Sequence, residues 1–360
     1  MIDLVATAFE QKDYRTAAKL LKQLLKESPD NPWVQFYVGR LHEVSAKRQE
    51  AEKIYRQLLR DTTNGKIVTQ ARHGLQRLQE LEQEERKHAI TQATANADNS
   101  ELGVLILEPI TNELRTQAAQ KLAQIMQLDA YSARLLLPSR GWRLYRSGAI
   151  GELKFYGKQL KKAGISCFWV KLADIKRIQV FQVNYFEEYT SKVTVVCRNQ
   201  DNQLGTLCFD WLEVKGRVQG LLPIFEEVVD RDVRGKLERK TQTQDYFQFC
   251  DLHIPGRNCI LRLYDKGYKF QQGVEIAPQT SENTIRMNWN NLLAFIDKQL
   301  PQVKIWSDFP TFVETALDQT EVLDNIEPHI HLFRREKTNW DTAFHLYSGL
   351  AFLTFLKAKV

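Results

Sequence analysis

The feature that most constrains the fold of this 360-residue chain is an internal repeat of 34 residues near its start. Three small or apolar residues recur at this spacing, and the pairs are Ala17 with Ala51, Leu21 with Tyr55, and Leu24 with Leu58. Residues 28–32 contain two prolines, and proline cannot continue a helix. Gly39 is a small residue where two helices of the second repeat would approach closely. A fixed period of this length indicates stacked helical hairpins.

These residues resemble the tetratricopeptide repeat family, which is built from helix–turn–helix units of 34 residues with small residues at the helix crossing. The resemblance covers about residues 1–65, and a third helix from Val68 to about Ala95 would cap the stack. The second unit departs from the family because it ends in residues 61–65 without a proline. We predict a helical repeat domain over residues 1–98. Such a stack either supports the rest of the chain or offers a groove to a partner protein, and both interpretations stay open.

The pattern changes after the polar linker at residues 93–100. Residues 103–107 are a short apolar run typical of a buried strand, and residues 112–126 repeat apolar side chains at helical spacing. Continued to Lys171, the pattern gives the order βααβαβ. We therefore predict a small α/β domain over residues 101–172.

From residue 173 to residue 360 we predict an antiparallel β-rich domain with helices. Alternating apolar residues indicate strands near residues 193–197 and 204–211, and residues 254–258 form a turn signal between two further strands. We predict helices over residues 214–229 and 289–300 and a polar connection over residues 230–245. The whole chain is then of the α+β class.

Bulk composition excludes several classes of protein. The net charge is +6, from 50 basic and 44 acidic residues, which is far below the balance of a dedicated DNA-binding protein. The N-terminus lacks the basic and apolar regions of a secretory signal. The most apolar run, residues 343–356, is shorter than the roughly 20 residues that span a bilayer, so it predicts a buried closing helix or strand. We expect no membrane partner.

The five cysteines are odd in number and form no CxxC pair; they are Cys167, Cys197, Cys208, Cys250 and Cys259. Most of them have β-branched or aromatic neighbours. This pattern is typical of buried free thiols in a reducing compartment. We therefore predict a cytoplasmic location.

Residues 138–148 carry the candidate ligand site. Arg140, Arg143 and Arg146 are spaced three apart, with Trp142 and Tyr145 between them. Guanidinium groups bind phosphate oxygens bidentately, and both guanidinium and aromatic planes stack on bases. As a strand, the segment would place Trp142, Leu144 and Arg146 on one face. The alternative is an edge strand whose arginines pair with surface carboxylates.

A second candidate patch alternates acidic and basic residues beside a glycine. Its residues are Asp230, Arg231, Asp232 and Arg234. A carboxylate can accept from N1 and N2 of guanine, while arginine donates to O6 and N7. The alternative is a solvated linker, which is what most charge runs are.

Metal and enzyme motifs are weak or missing. His329 and His331 share a spacing used by some zinc sites, with Glu327 and His345 as the remaining candidate ligands, but no third ligand is evident. Arg257 and Arg262 could complete a basic pocket or serve the fold. The chain contains no Walker loop, no GxGxxG after a strand, no GxSxG and no HExxH. We expect a non-enzymatic protein with no metal and no cofactor.

As a whole, the chain resembles a cyanobacterial family in which tetratricopeptide repeats precede an α/β region and which includes a cyclic di-GMP receptor. Residues 138–148, 230–235 and 240–246 carry this resemblance. It implies that cyclic di-GMP is a regulatory ligand, and that the protein controls cell size by binding a CRP-type transcription factor. Direct nucleic-acid binding is not expected. The alternative function is a ligand-independent scaffold that binds a partner protein through its repeats.

With this ligand, each candidate residue has an expected role. Arg140, Arg143 and Arg146 would pair with phosphate or with the Hoogsteen edge of guanine. Trp142 or Tyr145 would stack on a base. Asp230 or Asp232 would accept hydrogen bonds from a guanine edge, with Arg231 and Arg234 beside them.

Overall fold

The computed structural model describes residues 1–190, 192–231, 237–276, 284–330, 332 and 338–357. Contacts within the chain separate two units, Met1–Gln92 and Ala93–Val360. The second unit holds both of the segments that the sequence assigns to separate domains, residues 101–172 and 173–360. The protein is a mixed α+β protein with helical repeats at its N-terminus.

The first unit is a series of helices, as the 34-residue repeat predicts. In chain order they are α1 (Ile2–Glu10), α2 (Tyr14–Glu27), α3 (Pro32–Val44), α4 (Arg48–Asp61) and α5 (Gly65–Thr94). Asp13 caps α2 by accepting from the backbone N–H of Thr16 at 3.1 Å. Asn31 caps α3 by accepting from the N–H of Trp33 at 2.9 Å. These side chains satisfy helix-end donors that would otherwise have no partner.

Tyr55 is the centre of this unit, because two glycines make room for its ring. A Cβ atom at Gly39 would lie 2.7 Å from the Tyr55 ring, and one at Gly74 would lie 2.5 Å away. The Tyr55 hydroxyl donates to Glu43 at 2.7 Å, and Arg77 donates to the other oxygen of Glu43 at 2.7 Å. Burial raises the pKa of Glu43, but the hydrogen bonds from Arg77 and Tyr55 outweigh it and hold that pKa below its usual range.

The second unit begins with a small antiparallel sheet. Its strands are β1 (Leu102–Leu107), β2 (Arg143–Ala149) and β3 (Cys167–Lys171), in the order β2-β1-β3. Its helices are α6 (Ala97–Ser100), α7 (Asn112–Met126), α8 (Ala130–Leu136) and α9 (Ile150–Lys162). From β1 onward the observed order is βααβαβ. The short helix α6 lies where the sequence indicated a linker.

A larger sheet follows the short helix α10 (Leu172–Lys176). Its strands are β4 (Gln179–Glu188), β5 (Val193–Arg198), β6 (Leu204–Phe209), β7 (Gly216–Arg231), β8 (Leu237–Ile254), β9 (Cys259–Tyr264) and β10 (Lys304–Trp306). The order is β10-β7-β8-β9-β4-β5-β6. Two pairs, β10 with β7 and β4 with β9, are parallel. The sheet is therefore mixed, whereas the sequence predicted an antiparallel one.

The prediction of a helix over residues 214–229 was wrong, because this segment is most of strand β7. Val218 and Leu222 are buried and Phe225 is partly exposed, a spacing of three to four residues that imitates a helical stripe. Pro223 in the middle of the segment removes a helical hydrogen bond, and a helix does not tolerate that change in its interior. The predicted polar connection at residues 230–245 was also wrong where the structure describes it, because β8 begins at Leu237.

Helices cover both faces of the larger sheet. They are α11 (Ile285–Gln299), α12 (Phe309–Ala316), α13 (Thr320–Asp324) and α14 (Asn339–Lys357). Trp289 and Ile296 of α11 pack in the core on one face, and Phe344 and Leu350 of α14 pack in the core on the other. The apolar run at residues 343–356 is thus a buried helix. Among the described helices, none is long and apolar enough to cross a membrane.

All five cysteines are free thiols, and burial distinguishes one of them. Cys167, Cys197, Cys250 and Cys259 are buried, whereas Cys208 is exposed on β6. Burial raises the pKa of Cys167 to about 11, so that thiol stays protonated at neutral pH.

The bonds around Glu43 predict a specific weakness of the repeat unit. We expect Arg77→Met to lower the local free energy of unfolding by about 1–3 kcal/mol, because it leaves a largely buried carboxylate short of hydrogen bonds. The matched control is Arg56→Met, which breaks an exposed pair with Glu52 on α4 and should cost well under about 1 kcal/mol. Hydrogen exchange of the α3 and α4 amides measures both effects. Equal losses in the two variants would contradict the role given to Glu43.

Candidate ligand-binding site

Residues 138–148, the arginine segment, lead into and include most of β2, an edge strand of the small sheet. Strand β2 pairs with β1 on one side. On its other side α12 covers the middle of the strand, where the Leu144 N–H donates to the Thr315 hydroxyl at 3.2 Å. Gly141 precedes the strand with a φ of +65°, and a Cβ there would lie 3.0 Å from Asp308. The residue type at this position is therefore set by backbone conformation and by a close approach.

A β-bulge at Tyr145 decides which way the arginines face. Leu144 lies opposite Ile106 and Arg146 lies opposite Leu105, so one extra residue is inserted between them. Leu144 and Arg146 therefore face opposite sides of the sheet, and the prediction that they share a face was wrong. The same bulge puts Arg143, opposite Leu107, on the face of Arg146. The residues opposite them, Leu107 and Leu105, are two positions apart on β1, which corresponds to about 7 Å along the strand.

Trp142 belongs to the hydrophobic core. It is 8% exposed, and its ring meets those of Phe168 at 5.1 Å, Tyr347 at 5.7 Å and Trp306 at 6.5 Å. A ring surrounded in this way has no face open to a base. The residue that the sequence selected as a stacking platform instead anchors β2 to α14.

Arg146 lies on the α9 side of the small sheet. Its guanidinium donates to Glu152 at 2.6 Å and lies 5.1 Å from the centroid of the Tyr156 ring. Glu152 and Tyr156 are four residues apart on α9, so both point toward the same arginine. The Arg146 side chain remains 42% exposed. This pair agrees with the alternative interpretation of an edge-strand arginine that binds a surface carboxylate.

The other members of the motif differ in their contacts. Arg143 donates to the backbone carbonyl of Leu135 at 3.3 Å, near the C-terminal end of α8. Arg115 donates to the carbonyl of Leu137 at 2.6 Å, so two arginines serve this helix end. Arg140 is exposed and forms no hydrogen bond or ion pair with another described residue. Tyr145 is partly buried, and that burial raises the pKa of its hydroxyl.

The second candidate patch is at the far end of a long β7–β8 hairpin. In the backbone register Asp230 lies opposite Glu238 and Arg231 lies opposite Leu237. Asp232 and Arg234 lie outside the described residues. One face of this hairpin exposes apolar side chains at Leu221, Phe225, Val229, Leu237 and Tyr246. The segment that the sequence predicted as a polar connection is, in its described part, the end of two paired strands.

Sequence reasoning missed a buried polar cluster on the α14 side of the larger sheet. Its members are Asp251, His253, Arg262, His345 and Ser348, and each is at most 1% exposed. Arg262 binds Asp251 through two bonds of 2.9 and 2.7 Å. The signal was available in β8, where the alternation of buried residues puts Asp251 and His253 on the core face of Phe249.

The serine and histidine of this cluster are not arranged for nucleophilic catalysis. Ser348 donates to Asp251 at 2.6 Å, so the His253 Nε2 atom, 3.0 Å away, must donate to the serine oxygen. The serine is in the middle of the chain of bonds, whereas a catalytic triad has the histidine there. Burial lowers the pKa of His253 to about 4, so it is neutral at physiological pH.

The described residues add no further ligand to the histidine pair that the sequence offered as a metal site. Among the described residues, no group of three or more His, Cys, Asp or Glu side chains is placed to hold a metal ion. His331 lies outside that part of the chain. Arg257, the other arginine considered for a basic pocket, pairs with Glu213 at 2.6 Å.

Comparison with known proteins gives a match in the first unit. A family model described as tetratricopeptide repeat matches residues 8–78. Neither the curated proteins nor the solved structures gave a match to this chain. The matched residues extend from α1 into α5 and include the glycines that hold Tyr55. The chain is therefore a tetratricopeptide-repeat-containing protein, and this fold supports protein–protein interaction.

Proposed function

We propose that this protein is a non-enzymatic receptor for cyclic di-GMP that passes the level of this second messenger to a protein partner. The observation that carries the proposal is the bulge at Tyr145, which places Arg143 and Arg146 on the same face of an edge strand. The proposed partner, a CRP-type transcription factor that controls cell size, rests on the family resemblance alone.

The surroundings of Arg146 suit a guanine base. The guanidinium can donate to O6 and N7, while the carboxylate of Glu152 can accept from N1 and N2 of the same or a neighbouring base. The guanidinium lies 5.1 Å from the centroid of the Tyr156 ring, and the side chain is 42% exposed, so part of it is accessible to a base. The proposed site therefore includes Glu152 and Tyr156 and no longer includes Trp142.

Arg140 and Arg143 are placed to bind the phosphates of cyclic di-GMP in this proposal. Arg140 is exposed and has no competing carboxylate among the described residues. Arg143 uses one N–H on a backbone carbonyl, which leaves other donors of its five for phosphate oxygens. Cyclic di-GMP carries two phosphates and two guanines, so a strand with adjacent guanidinium groups matches its alternation of charge and base.

The second candidate patch, at the end of the β7–β8 hairpin, is a further candidate for ligand contact. Asp230 and Arg231 end strand β7 and carry the carboxylate and guanidinium that guanine recognition requires. Asp232 and Arg234 continue the same pattern in sequence.

Calorimetric titration with cyclic di-GMP tests the arginine site. We expect saturable binding to the intact protein and none of cyclic di-AMP, GTP or GMP. Arg143→Ala combined with Arg146→Ala removes charge-assisted hydrogen bonds worth about 1.5–3 kcal/mol each, which is about 10- to 150-fold in affinity for each arginine.

The control for this titration is Arg177→Ala, which removes one positive charge at an exposed site whose ion pair with Asp174 is 3.8 Å long. Thermal unfolding of each variant checks that α8 remains folded without Arg143. Unchanged nucleotide affinity in the double variant would sink the assignment of this site.

A ligand-independent scaffold is the second candidate, and the repeat match favours it. Phe9 stacks on Tyr37 at 5.4 Å, Tyr37 stacks on Trp33 at 6.4 Å, and Tyr14 meets the edge of Phe9 at 5.9 Å. These four rings form a continuous, partly exposed aromatic strip on the first unit. Aromatic side chains of this kind are frequent anchors in protein interfaces.

Partner capture with and without cyclic di-GMP separates the two functions. We expect Tyr14→Ala with Trp33→Ala to weaken capture of the partner under both hypotheses. The receptor also predicts that cyclic di-GMP changes capture by the intact protein, and that the double arginine variant loses this response. The scaffold predicts neither effect. Tyr55 is unsuitable for this test because it is fully buried and holds the unit together.

A further inference from the structure

A cavity of about 300 Å³ opens beside the buried polar cluster of the second unit. It is lined by Lys176, Gln200, Asn325, Ile326, Glu327, His329 and His345. Among these lining residues, His345 is 0% exposed. The volume is at the lower end of the range for small-molecule sites, and it suits a ligand smaller than a dinucleotide.

Arg262 fixes the hydrogen-bonding state of His345. The Arg262 Nη2 atom lies 3.4 Å from Nδ1 of His345. Arginine can only donate, so Nδ1 accepts and the ring proton must be on Nε2. Arg262 is itself held by Asp251 and by the carbonyl of Pro328 at 2.8 Å, so its orientation does not depend on the histidine.

The Nε2–H group of His345 is a donor without a partner. Nε2 is buried and forms no hydrogen bond with any described residue. A buried donor left in this state costs free energy, and native proteins retain few of them. Because Nδ1 is occupied by Arg262, Nε2–H is the group that this ring can offer to the cavity.

We propose that this cavity binds a small oxyanion, a carboxylate or a phosphate group, through the Nε2–H of His345. The charge of Lys176 at the wall attracts the anion, and the neutral histidine donates to it. Arg262 behind the ring polarises the imidazole and strengthens that donor. The proposal is independent of the arginine strand and of cyclic di-GMP.

A metal ion does not fit the same atoms. To bind a cation, Nε2 would need its lone pair, and the ring proton would then be on Nδ1 facing Arg262. Two donors would point at each other at 3.4 Å. His329 and Glu327, which line the cavity too, therefore do not make a metal site with His345.

Nuclear magnetic resonance on protein labelled with ¹⁵N-histidine tests the proposal directly. The ring ¹⁵N shifts of His345 report which nitrogen carries the proton. We expect the Nε2–H form in the ligand-free protein, and a saturable shift of the Nε2–H signal on addition of inorganic phosphate or acetate. Comparing these two probes distinguishes a phosphate site from a carboxylate site. Sodium chloride at matched ionic strength should leave the signal in place.

Surface variants test the charge without disturbing the core. Lys176→Gln should weaken binding of the effective anion by at least about threefold, as expected for loss of one partly exposed ionic contact. The matched control is Arg177→Gln, the next residue, which carries the same charge and does not line the cavity. Its affinity should equal that of the unmodified protein.

Four outcomes would overturn the proposal. They are a His345 proton on Nδ1, no anion shift beyond that of chloride, an equal loss in Lys176→Gln and Arg177→Gln, or saturable zinc binding that moves the His345 signals. Replacement of His345 by Phe is a supporting variant only, because the side chain is in the core and its loss can unfold the unit.

Discussion

The second unit depends on the burial of helix α14 between two sheets. Apolar side chains lie all round this helix, so it has no polar face to turn to water. Tyr347 meets Trp142 of the small sheet, while Phe344 packs against Gly220 and Phe249 of the larger sheet. Each fully buried side chain of this size contributes about 1.5–3 kcal/mol by leaving water. One helix therefore connects elements that are far apart in sequence.

This core determines which residues of the arginine segment are available for binding. Trp142 and Leu144 are committed to the α14 side of the small sheet, where they are buried. The bulge then turns Arg146 to the opposite face, toward α9. A regular strand would have put a guanidinium into the hydrophobic core, where an unpaired charge is very costly. The bulge allows one short strand to serve the core and present arginines outside it.

The same core contains charged and polar side chains, which is unusual in a layer so rich in aromatic residues. Asp251 and Arg262 are both almost completely buried, and burial of an ion pair seldom gains stability over apolar residues. Removing either partner would leave an uncompensated buried charge. Their bonds to Ser348 and His345 tie β8 and β9 to α14 with defined geometry. Fixed geometry is what a binding site needs from its supporting residues.

Sequence reasoning succeeded where the information is local. The 34-residue period, the prolines of residues 28–32 and the glycine at position 39 all lie within a few turns of the helices that they specify, and the family match agrees with the repeat. The order of elements around β1 was also predictable, from a short apolar run for the strand and from apolar residues at helical spacing for the helix after it. The prediction of a helix in the β7 segment was wrong because the apolar spacing of a strand with one solvated face can imitate that of a helix. Pro223 was the residue in this segment that argued against a helix.

The parts that could not be predicted depend on contacts between distant residues. The bulge at Tyr145 is visible only in the register against β1. The polar cluster joins Asp251 to a serine 97 residues later, and Arg262 to a histidine 83 residues later. The alternation in β8 indicates that Asp251 faces the core, but a single sequence contains no signal for the distant residue with which it pairs. The sequence therefore identified the arginines as candidate ligand-binding residues. The side of the sheet on which each arginine lies, and the pairings within the buried cluster, could be seen only in the structure.

In the proposed receptor, the Arg146–Glu152 pair is the element through which ligand occupancy can change the protein. A ligand that takes the guanidinium away from Glu152 frees a carboxylate in the first turn of α9. That carboxylate must then bind the ligand or return to water, so the two states differ in the contacts of α9. Regulation requires a ligand to bind two conformations with different affinity. An arginine already paired with a carboxylate of α9 can meet this condition if the freed carboxylate changes the contacts of α9, because ligand binding is then coupled to that change.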